Sequence, residues 1–246
     1  MATATTVQKV PGLVSPQAGT REEALALIFA PTKRGDGFRH GALGAPGYGK
    51  TYHVRQVIAA ALERDVVDLV LSHDVKYRQA EFEGIELTHV GAAADPAQLE
   101  LRRHLVYRGD VRADVVCEAE DVALAGKKIA QGSEIRVLLN IGELDDCLTE
   151  GGRGWRAPTV QWFSSKGRAL GACLLWTTQQ PKRSPDEIFD QSTTLALFHH
   201  EERSANYLSN TLLLDEDMVR TLPQLAIGEF VLKVPAREWN RKVYRF

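Results

Sequence analysis

Long apolar runs are missing from this chain of 246 residues. None approaches the ~18 residues that a membrane-spanning helix requires, so no such helix is expected. Cysteine is scarce: Cys117, Cys147 and Cys173 are odd in number and far apart. That excludes a disulfide framework and any zinc-type spacing, and it favours a reducing, intracellular setting. A surplus of either charge is missing too, since 30 Lys and Arg against 32 Asp and Glu leave a net charge of −2. Nucleic-acid binding through overall basicity is excluded. Contact with DNA would need a local patch, or several subunits pooling a few basic residues each. No internal repeat or long linker is found. The first 20 residues, MATATTVQKVPGLVSPQAGT, lack an apolar block of secretory type. Their Thr, Ala, Pro and Gly content predicts a flexible arm, with a strap on a neighbouring subunit as the alternative.

What is present suits one substantial core, with 44% hydrophobic residues. A single domain over 21–246 is expected. Residues 21–30 (REEALALIFA) read as a short helix and 31–37 as a loop. Strands are expected at 38–43, 65–72, 86–90, 104–108, 135–141, 172–178 and 194–200, the clearest being IRVLLNI and ACLLWTT. Helices are expected at 50–63, 111–128, 158–170 and, as one or two, 202–222. The segments GEFVLKV and KVYRF alternate like an antiparallel pair. Strands alternating with helices predict a three-layer α/β sandwich, its sheet mostly parallel with an antiparallel C-terminal edge.

The most specific motif is GAPGYGKT, formed by Gly44, Ala45, Pro46, Gly47, Tyr48, Gly49, Lys50 and Thr51. It fits G-x-x-x-x-G-K-[ST], the P-loop of NTPases, between a predicted strand and a predicted helix. Glycines let the backbone curl so that successive N–H groups face phosphate oxygens, and the following helix points its positive end at the same anion. Lys50 can reach the β- and γ-phosphates of ATP, and the Thr51 hydroxyl can ligate Mg2+.

Hydrolysis also needs carboxylates, expected at the end of a buried strand beside the P-loop strand. IRVLLNI is followed by Gly142, Glu143, Leu144, Asp145 and Asp146. Glu143 is placed to activate water. The residue before it, ordinarily Asp, is Gly142, with Asn140 two places earlier. Either Asp145 or Asp146 reaches the metal, or Glu143 takes on more than one task, or hydrolysis is slow. Asp145 is taken as the metal candidate beside Thr51. Farther on, WTTQQP ends a buried strand, and Gln179 there could bond the γ-phosphate or the attacking water, since a carboxamide both donates and accepts.

Taken together, GAPGYGKT, DLVLSHDVKYR (68–78), VLLNIGELDD (137–146), SKGRALGACLLWTTQQP (165–181) and LPQLAIGEFVL (222–232) resemble the FtsK–HerA superfamily of DNA-pumping ATPases. In length and motif order the chain looks like the small genome-packaging ATPases of tailless, membrane-containing icosahedral viruses. The resemblance implies a P-loop NTPase sandwich, ATP and Mg2+ as cofactors, a homo-oligomeric ring, expected to be a hexamer, and double-stranded DNA in its centre. It also implies capsid or membrane-vertex partners, and a place at the virion packaging vertex or in host cytoplasm. Lys50 and Thr51 would hold phosphate and metal, Glu143 would activate water, and Gln179 would sense the γ-phosphate. Asp74 and Lys76 fall near the site. Arg168, in the Gly-Arg element, would stabilise phosphate charge in its own or a neighbouring subunit, with Arg153 and Arg156 as alternatives. Lys76, Arg78, Arg102, Arg103, Arg108, Arg112, Arg153, Arg156, Lys182 and Arg183 are candidates for a positive channel that follows phosphates without reading bases. Trp155 is expected to pack on protein. Competing readings are an extrusion ATPase of filamentous-phage or secretion type, a small-molecule kinase, and an ATP-binding scaffold that barely hydrolyses. If the loop acts as its sequence implies, Lys50→Ala abolishes ATP hydrolysis, read as phosphate release; full turnover in that variant would remove the assignment.

Overall fold

The computed structural model describes residues 16–30, 36–74, 85–87, 103–108, 115–149, 154–234 and 240–246. Lys76, Arg78, Arg102, Arg112 and Arg153 lie outside them, as do parts of the expected segments at 86–90 and 111–128.

The first described element is β1 (Gln17–Ala18), and α1 (Arg21–Phe29) follows. Helix α1 begins at Thr20 in a reciprocal cap. The Thr20 hydroxyl accepts the Glu23 amide at 3.1 Å, and the Glu23 carboxylate accepts the Thr20 amide at 3.0 Å. Strand β1 pairs in parallel with the C-terminal strand, so the flexible arm expected through residue 20 does not extend that far.

Strand β2 (Arg39–Leu43) leads through the glycine-rich loop into α2 (Lys50–Glu63). Next come β3 (Leu69–Asp74), β4 (Ile85–Leu87), β5 (Arg103–Arg108), α3 (Val115–Gly132) and β6 (Val137–Ile141). Strand β3 starts later than the expected 65–72, because Asp65 turns the chain with φ 55° after α2. Helix α4 (Pro158–Ser164) gives way to a 3-10 turn at Lys166–Leu170 instead of running on to residue 170. Strand β7 (Cys173–Thr178), α5 (Asp186–Gln191), β8 (Thr194–Leu197), α6 (Glu202–Leu212) and α7 (Glu216–Thr221) follow. The chain closes with β9 (Glu229–Lys233) and β10 (Lys242–Arg245).

The ten strands of the described residues join one sheet in the order β1-β10-β9-β8-β2-β7-β6-β3-β5-β4. Among the described strands only β9 runs against its neighbours, pairing antiparallel with β8 and β10. One face of the sheet packs on α1 and α2 through Val54, Val57, Ile58, Leu138, Leu175 and Phe230. The other packs on α3 to α7 through Leu71, Leu139, Phe163, Trp176, Leu208 and Met218. This is the expected three-layer sandwich. Among the described residues no helix is long and apolar enough to cross a membrane.

The first of these faces contains a buried histidine pair. His40 of β2 and His53 of α2 meet Nε2 to Nε2 at 2.8 Å, and His40 Nδ1 contacts the Thr194 hydroxyl at 2.7 Å. The rings of Phe198, Phe230 and Phe246 surround His53. Burial brings the pKa of His40 down to about 3, and burial with the neighbouring ring brings His53 well below the ordinary histidine range. Both rings are therefore neutral in the folded protein, whereas in the unfolded chain they titrate near ~6.5. Lowering the pH through that value protonates only the unfolded state, so stability is full above it and is lost as the pH falls. Each ring contributes a limiting slope of about 1.4 kcal/mol per pH unit below ~6.5. The urea midpoint should fall clearly between pH 7 and pH 5; an unchanged midpoint would show that the rings are not buried neutral.

Candidate active site

The glycine-rich loop stands at the C-terminal edge of the parallel strands, and strand ends on three sides grip it. The Gly44 amide donates to the Thr178 carbonyl at the end of β7, at 3.4 Å. The Ala45 amide donates to the His199 carbonyl just past β8, at 3.0 Å. The Tyr48 carbonyl accepts the Gly228 amide from the turn before β9, at 3.1 Å. The segment LPQLAIGEF thus closes one side of the loop. The Tyr48 ring stacks on His199 with centroids 4.2 Å apart and planes 8° from parallel.

Two loop glycines are needed for their backbone shape. Gly47 and Gly49 have φ of 79° and 96°, in the left-handed region that side chains disfavour. A Cβ at Gly49 would also stand 3.2 Å from Gly228 Cα, whereas one at Gly47 would meet nothing within 4 Å. The loop is thus closed on its protein side and open at Gly47, as a cradle for an anion must be. Lys50 opens α2 and is buried. Its ammonium donates to the Gly44 carbonyl at 2.8 Å and the Ala45 carbonyl at 2.9 Å, so its Nζ is tucked inside the curl. Thr51, half-buried, follows in the first turn of α2.

Strand β7 lies between β2 and β6, so the carboxylate strand is not directly beside the P-loop strand as expected. The glutamine strand touches both. At the tips of β6 and β7, the Gln179 amide donates to Glu143 Oε1 at 2.7 Å. The structure therefore joins the two residues that the sequence proposed separately as water activator and sensor.

Asp145 goes elsewhere. The residues after Glu143 form a 3-10 turn, Leu144–Cys147. From it the Asp145 carboxylate accepts the Thr178 hydroxyl with both oxygens, at 2.8 Å each. Burial raises its pKa above the usual carboxylate range, and the Thr178 hydroxyl with the Gln179 and Gln180 amides opposes that rise. A carboxylate that takes one hydroxyl with both oxygens locks the tips of β6 and β7 together. Asp146 is exposed. Gly142 offers only backbone: its amide donates to the His73 carbonyl at 3.4 Å and its carbonyl accepts the Thr177 hydroxyl. Asn140 is wholly buried and donates to the Ser72 hydroxyl at 2.9 Å, which in turn contacts His104 Nε2 at 2.6 Å.

Arg168 is not brought to its own loop. It precedes β7, and its carbonyl accepts the amide of Gly37, which precedes β2. Its guanidinium pairs with Asp36 at 3.3 Å. Residues that precede parallel strands lie at the edge opposite the strand ends, on the order of 20 Å away for strands of this length at ~3.3 Å per residue. Arg156 is exposed beside Trp155, which bridges to Leu148 and packs on the core, as expected. Asp74 ends β3 at the loop edge. Lys182 and Arg183 are exposed just after β7, with the Lys182 ammonium 5.6 Å from the Tyr207 ring centroid.

Sequence reasoning missed His199 and His200. They close the stretch TLALFHH, and a histidine at a strand end carries no local signal of a partner. His200 is buried, and burial with the nearby Lys50 and His199 charges brings its pKa down to about 4.

A glycine-rich loop between strand and helix, at the strand-end edge of a mostly parallel sheet, defines the P-loop NTPase fold expected from the FtsK–HerA resemblance. The structure is similar to the genome packaging NTPase B204 of Sulfolobus turreted icosahedral virus 2 in complex with AMPPCP, with TM-score 0.64 and 14% identity over 82% of this chain and 93% of that one. The same NTPase with sulfate aligns with TM-score 0.65 and 15% identity, over 87% of this chain and 98% of that one. VirB4 of Thermoanaerobacter pseudethanolicus aligns with TM-score 0.62 and 10% identity, over 83% of this chain and 89% of that one. No protein-family model matches the sequence, and no curated protein matches it.

The lock at the strand tips separates two roles for Asp145. Asp145→Ala takes away the acceptor of the buried Thr178 hydroxyl and should cost about 1–3 kcal/mol of stability in urea unfolding. The Mg2+ concentration for half-maximal turnover should stay unchanged; a large rise in that requirement with stability intact would restore Asp145 as a metal ligand.

Proposed function

We propose that the protein is an ATP-hydrolysing motor that translocates double-stranded DNA, in the setting of viral genome packaging into a preformed capsid. The observation that carries this reading is the Glu143–Gln179 hydrogen bond on strand tips joined to the phosphate loop. It couples a base to a sensor, and both to the strand that bonds Gly44. The similar structures support the setting, since one is named a genome packaging NTPase and is bound to an ATP analogue.

The residues fit a triphosphate. The loop turns open at Gly47, the α2 N-terminus follows, and Lys50 is held inside the curl. Loop amides and Lys50 would hold the β- and γ-phosphates. Mg2+ would be held by the Thr51 hydroxyl, phosphate oxygens and water, and would supply charge neutralisation on those oxygens. The water oxygen bonds the γ-phosphorus, the bond from that phosphorus to the bridging oxygen breaks, and Glu143 accepts the water proton. Gln179 fixes the Glu143 carboxylate through Oε1 and so orients the base. Departure of phosphate changes what the Gln179 amide faces, and β7 carries that change to Pro181–Arg183, where exposed Lys182 and Arg183 offer charge to a DNA backbone. A ring of copies, expected to be a hexamer, would multiply such charges despite the net −2. Partners would be DNA and the capsid or membrane-vertex proteins of the packaging site.

Purified protein should hydrolyse ATP with Mg2+ and speed up when duplex DNA is added, the gain falling as salt rises. Glu143→Gln should lower kcat about 10²- to 10⁴-fold while nucleotide binding persists. Turnover untouched by DNA, in a protein that sediments as a monomer, would remove the motor reading; phosphate transfer to a small acceptor instead of water would identify a kinase.

A further inference from the structure

The Glu143–Gln179 pair and the phosphate loop together give a bound triphosphate a direction. The sheet runs β10-β9-β8-β2-β7-β6 through the site, so Glu143 and Gln179 stand on the β7 and β6 side of the loop. A γ-phosphate that faces them turns the opposite end of the triphosphate, which carries the nucleoside, toward β8, β9 and β10. On that side the strand tips are level. Leu43 pairs with Leu197, Leu197 with Val231, and Glu229 with Arg245. Carried on to the tips, this register sets Ala45, His199, Glu229 and Arg245 in one row along the edge of the sheet.

The turn before β9 fastens this row to the loop. The Gly228 amide donates to the Tyr48 carbonyl at 3.1 Å, and Gly228 Cα would stand 3.2 Å from a Cβ at Gly49. Polar groups of the turn are engaged within the protein. The Ala226 amide donates to the Glu229 carboxylate at 2.9 Å, and the Ala226 carbonyl accepts the Glu229 amide at 3.0 Å. The Ile227 carbonyl accepts the Arg245 guanidinium at 3.4 Å. The turn presents the Ile227 side chain outward, 65% exposed. Arg245, also exposed, reaches back over the turn from β10, with its Nε 3.6 Å from where a Cβ of Gly228 would stand. An apolar side chain and a guanidinium plane thus share one turn that touches the phosphate loop. The Tyr48 ring is held apart from them by its stack on His199 at 4.2 Å.

We propose that Ile227 and the Arg245 guanidinium form a stacking platform for the base of the nucleotide whose phosphates the loop holds, and that this platform grips a purine by its face and leaves its edge unread. Both surfaces suit that task. A branched apolar side chain covers part of an aromatic ring, and a planar guanidinium stacks on the rest. Every base has a π-face, so stacking adds affinity without choosing among bases. Choosing adenine over guanine takes donors and acceptors aimed at the ring edge. The turn's own are bonded to Glu229, Arg245 and Tyr48. The ligand class is therefore a purine nucleoside triphosphate, with adenine and guanine held alike. The inference rests on the reading above in one respect, that Glu143 and Gln179 mark the γ-phosphate side; DNA does not enter it.

The test is calorimetric binding to the full chain, with Mg2+, of AMPPCP, GMPPCP and inorganic tripolyphosphate, the last of which has no base. The unaltered protein should bind the two nucleotides within about threefold of each other, and tripolyphosphate at least about tenfold more weakly, the loss expected for one stacked base. A preference above about tenfold for either nucleotide would show that the edge is read and would overturn the proposal. So would nucleotides that bind no better than tripolyphosphate. Ile227→Ser removes the apolar face, and Arg245→Lys keeps the charge and loses the plane. Each should weaken both nucleotides about three- to tenfold and leave tripolyphosphate unchanged. An equal loss for all three ligands would make these residues phosphate contacts or structural supports, and no loss for any would remove the platform. Failure of all three to bind would remove the phosphate-loop reading itself. Full turnover in Glu143→Gln would fault the assignment of the γ-phosphate side, whereas a platform defect shows only in the base-dependent share of binding.

Discussion

One register governs the site. Leu43 lies opposite Thr178 on one side and Leu197 on the other, so three strand ends reach the same height where β2 stops. Every grip on the phosphate loop follows from that levelling: Gly44 to Thr178, Ala45 to His199, and Tyr48 to the Gly228 turn. A loop with two left-handed residues would otherwise sample many shapes, and fixing a residue costs on the order of 1–2 kcal/mol in backbone entropy. Bonds from strand ends that the core already fixes offset that cost before any ligand arrives. A slip of one residue between β2 and either neighbour would turn the whole tip to the wrong face.

The same levelling explains what happens where a carboxylate is missing. Alternation along β6 puts Leu138 and Asn140 on the face of α2, and Leu139 and Ile141 on the face of α3. A side chain at 142 would therefore point toward the α2 layer, where Thr51 stands. Glycine leaves only a carbonyl there, and Thr177 of β7 occupies it. The 3-10 turn carries Asp145 to Thr178. What remains at the tip is Glu143, oriented by Gln179. A carboxylate fixed through one oxygen keeps its direction without a second acidic residue, and two close carboxylates would raise each other's pKa.

Legibility in the sequence followed the locality of each signal. The loop and α2 were readable because glycine spacing, lysine and a following helix are all local, and 50–63 proved to be the helix. Glu143 and Gln179 were readable as types, since each ends a clear buried strand. Their pairing was not, because strand order is a nonlocal property and β7 proved to lie between β2 and β6. The capping box at Thr20 and Glu23 was present in the letters, but the pairing of Gln17 and Ala18 with β10 depends on a strand more than two hundred residues away. His40, His53 and His200 were silent for the same reason. A single imidazole in an apolar stretch does not say which element will cover it.

Arg168 shows how direction along a parallel strand assigns chemistry to one edge or the other. Strands that all run one way put their starts at one edge and their ends at the other, so an arginine just before β7 belongs with Gly37 and Arg39. That edge is built for a different purpose. Arg39 is wholly buried, with its guanidinium bonded to the carbonyls of Ser164, Ser165 and Gly37. Burial, with the charge of Arg168, brings its pKa down to about 10, still protonated at neutral pH. Carbonyl dipoles satisfy it in place of a carboxylate, which ties the end of α4 to the start of β2 and sets how deep the strand sits. The two edges thus divide the work. Buried cation and carbonyls hold the strand starts, and the strand ends are left to carry groups that a phosphate can reach. Within one chain Arg168 cannot serve both edges. Only a second copy, packed head to tail as a heterologous interface allows, could bring a triphosphate to it.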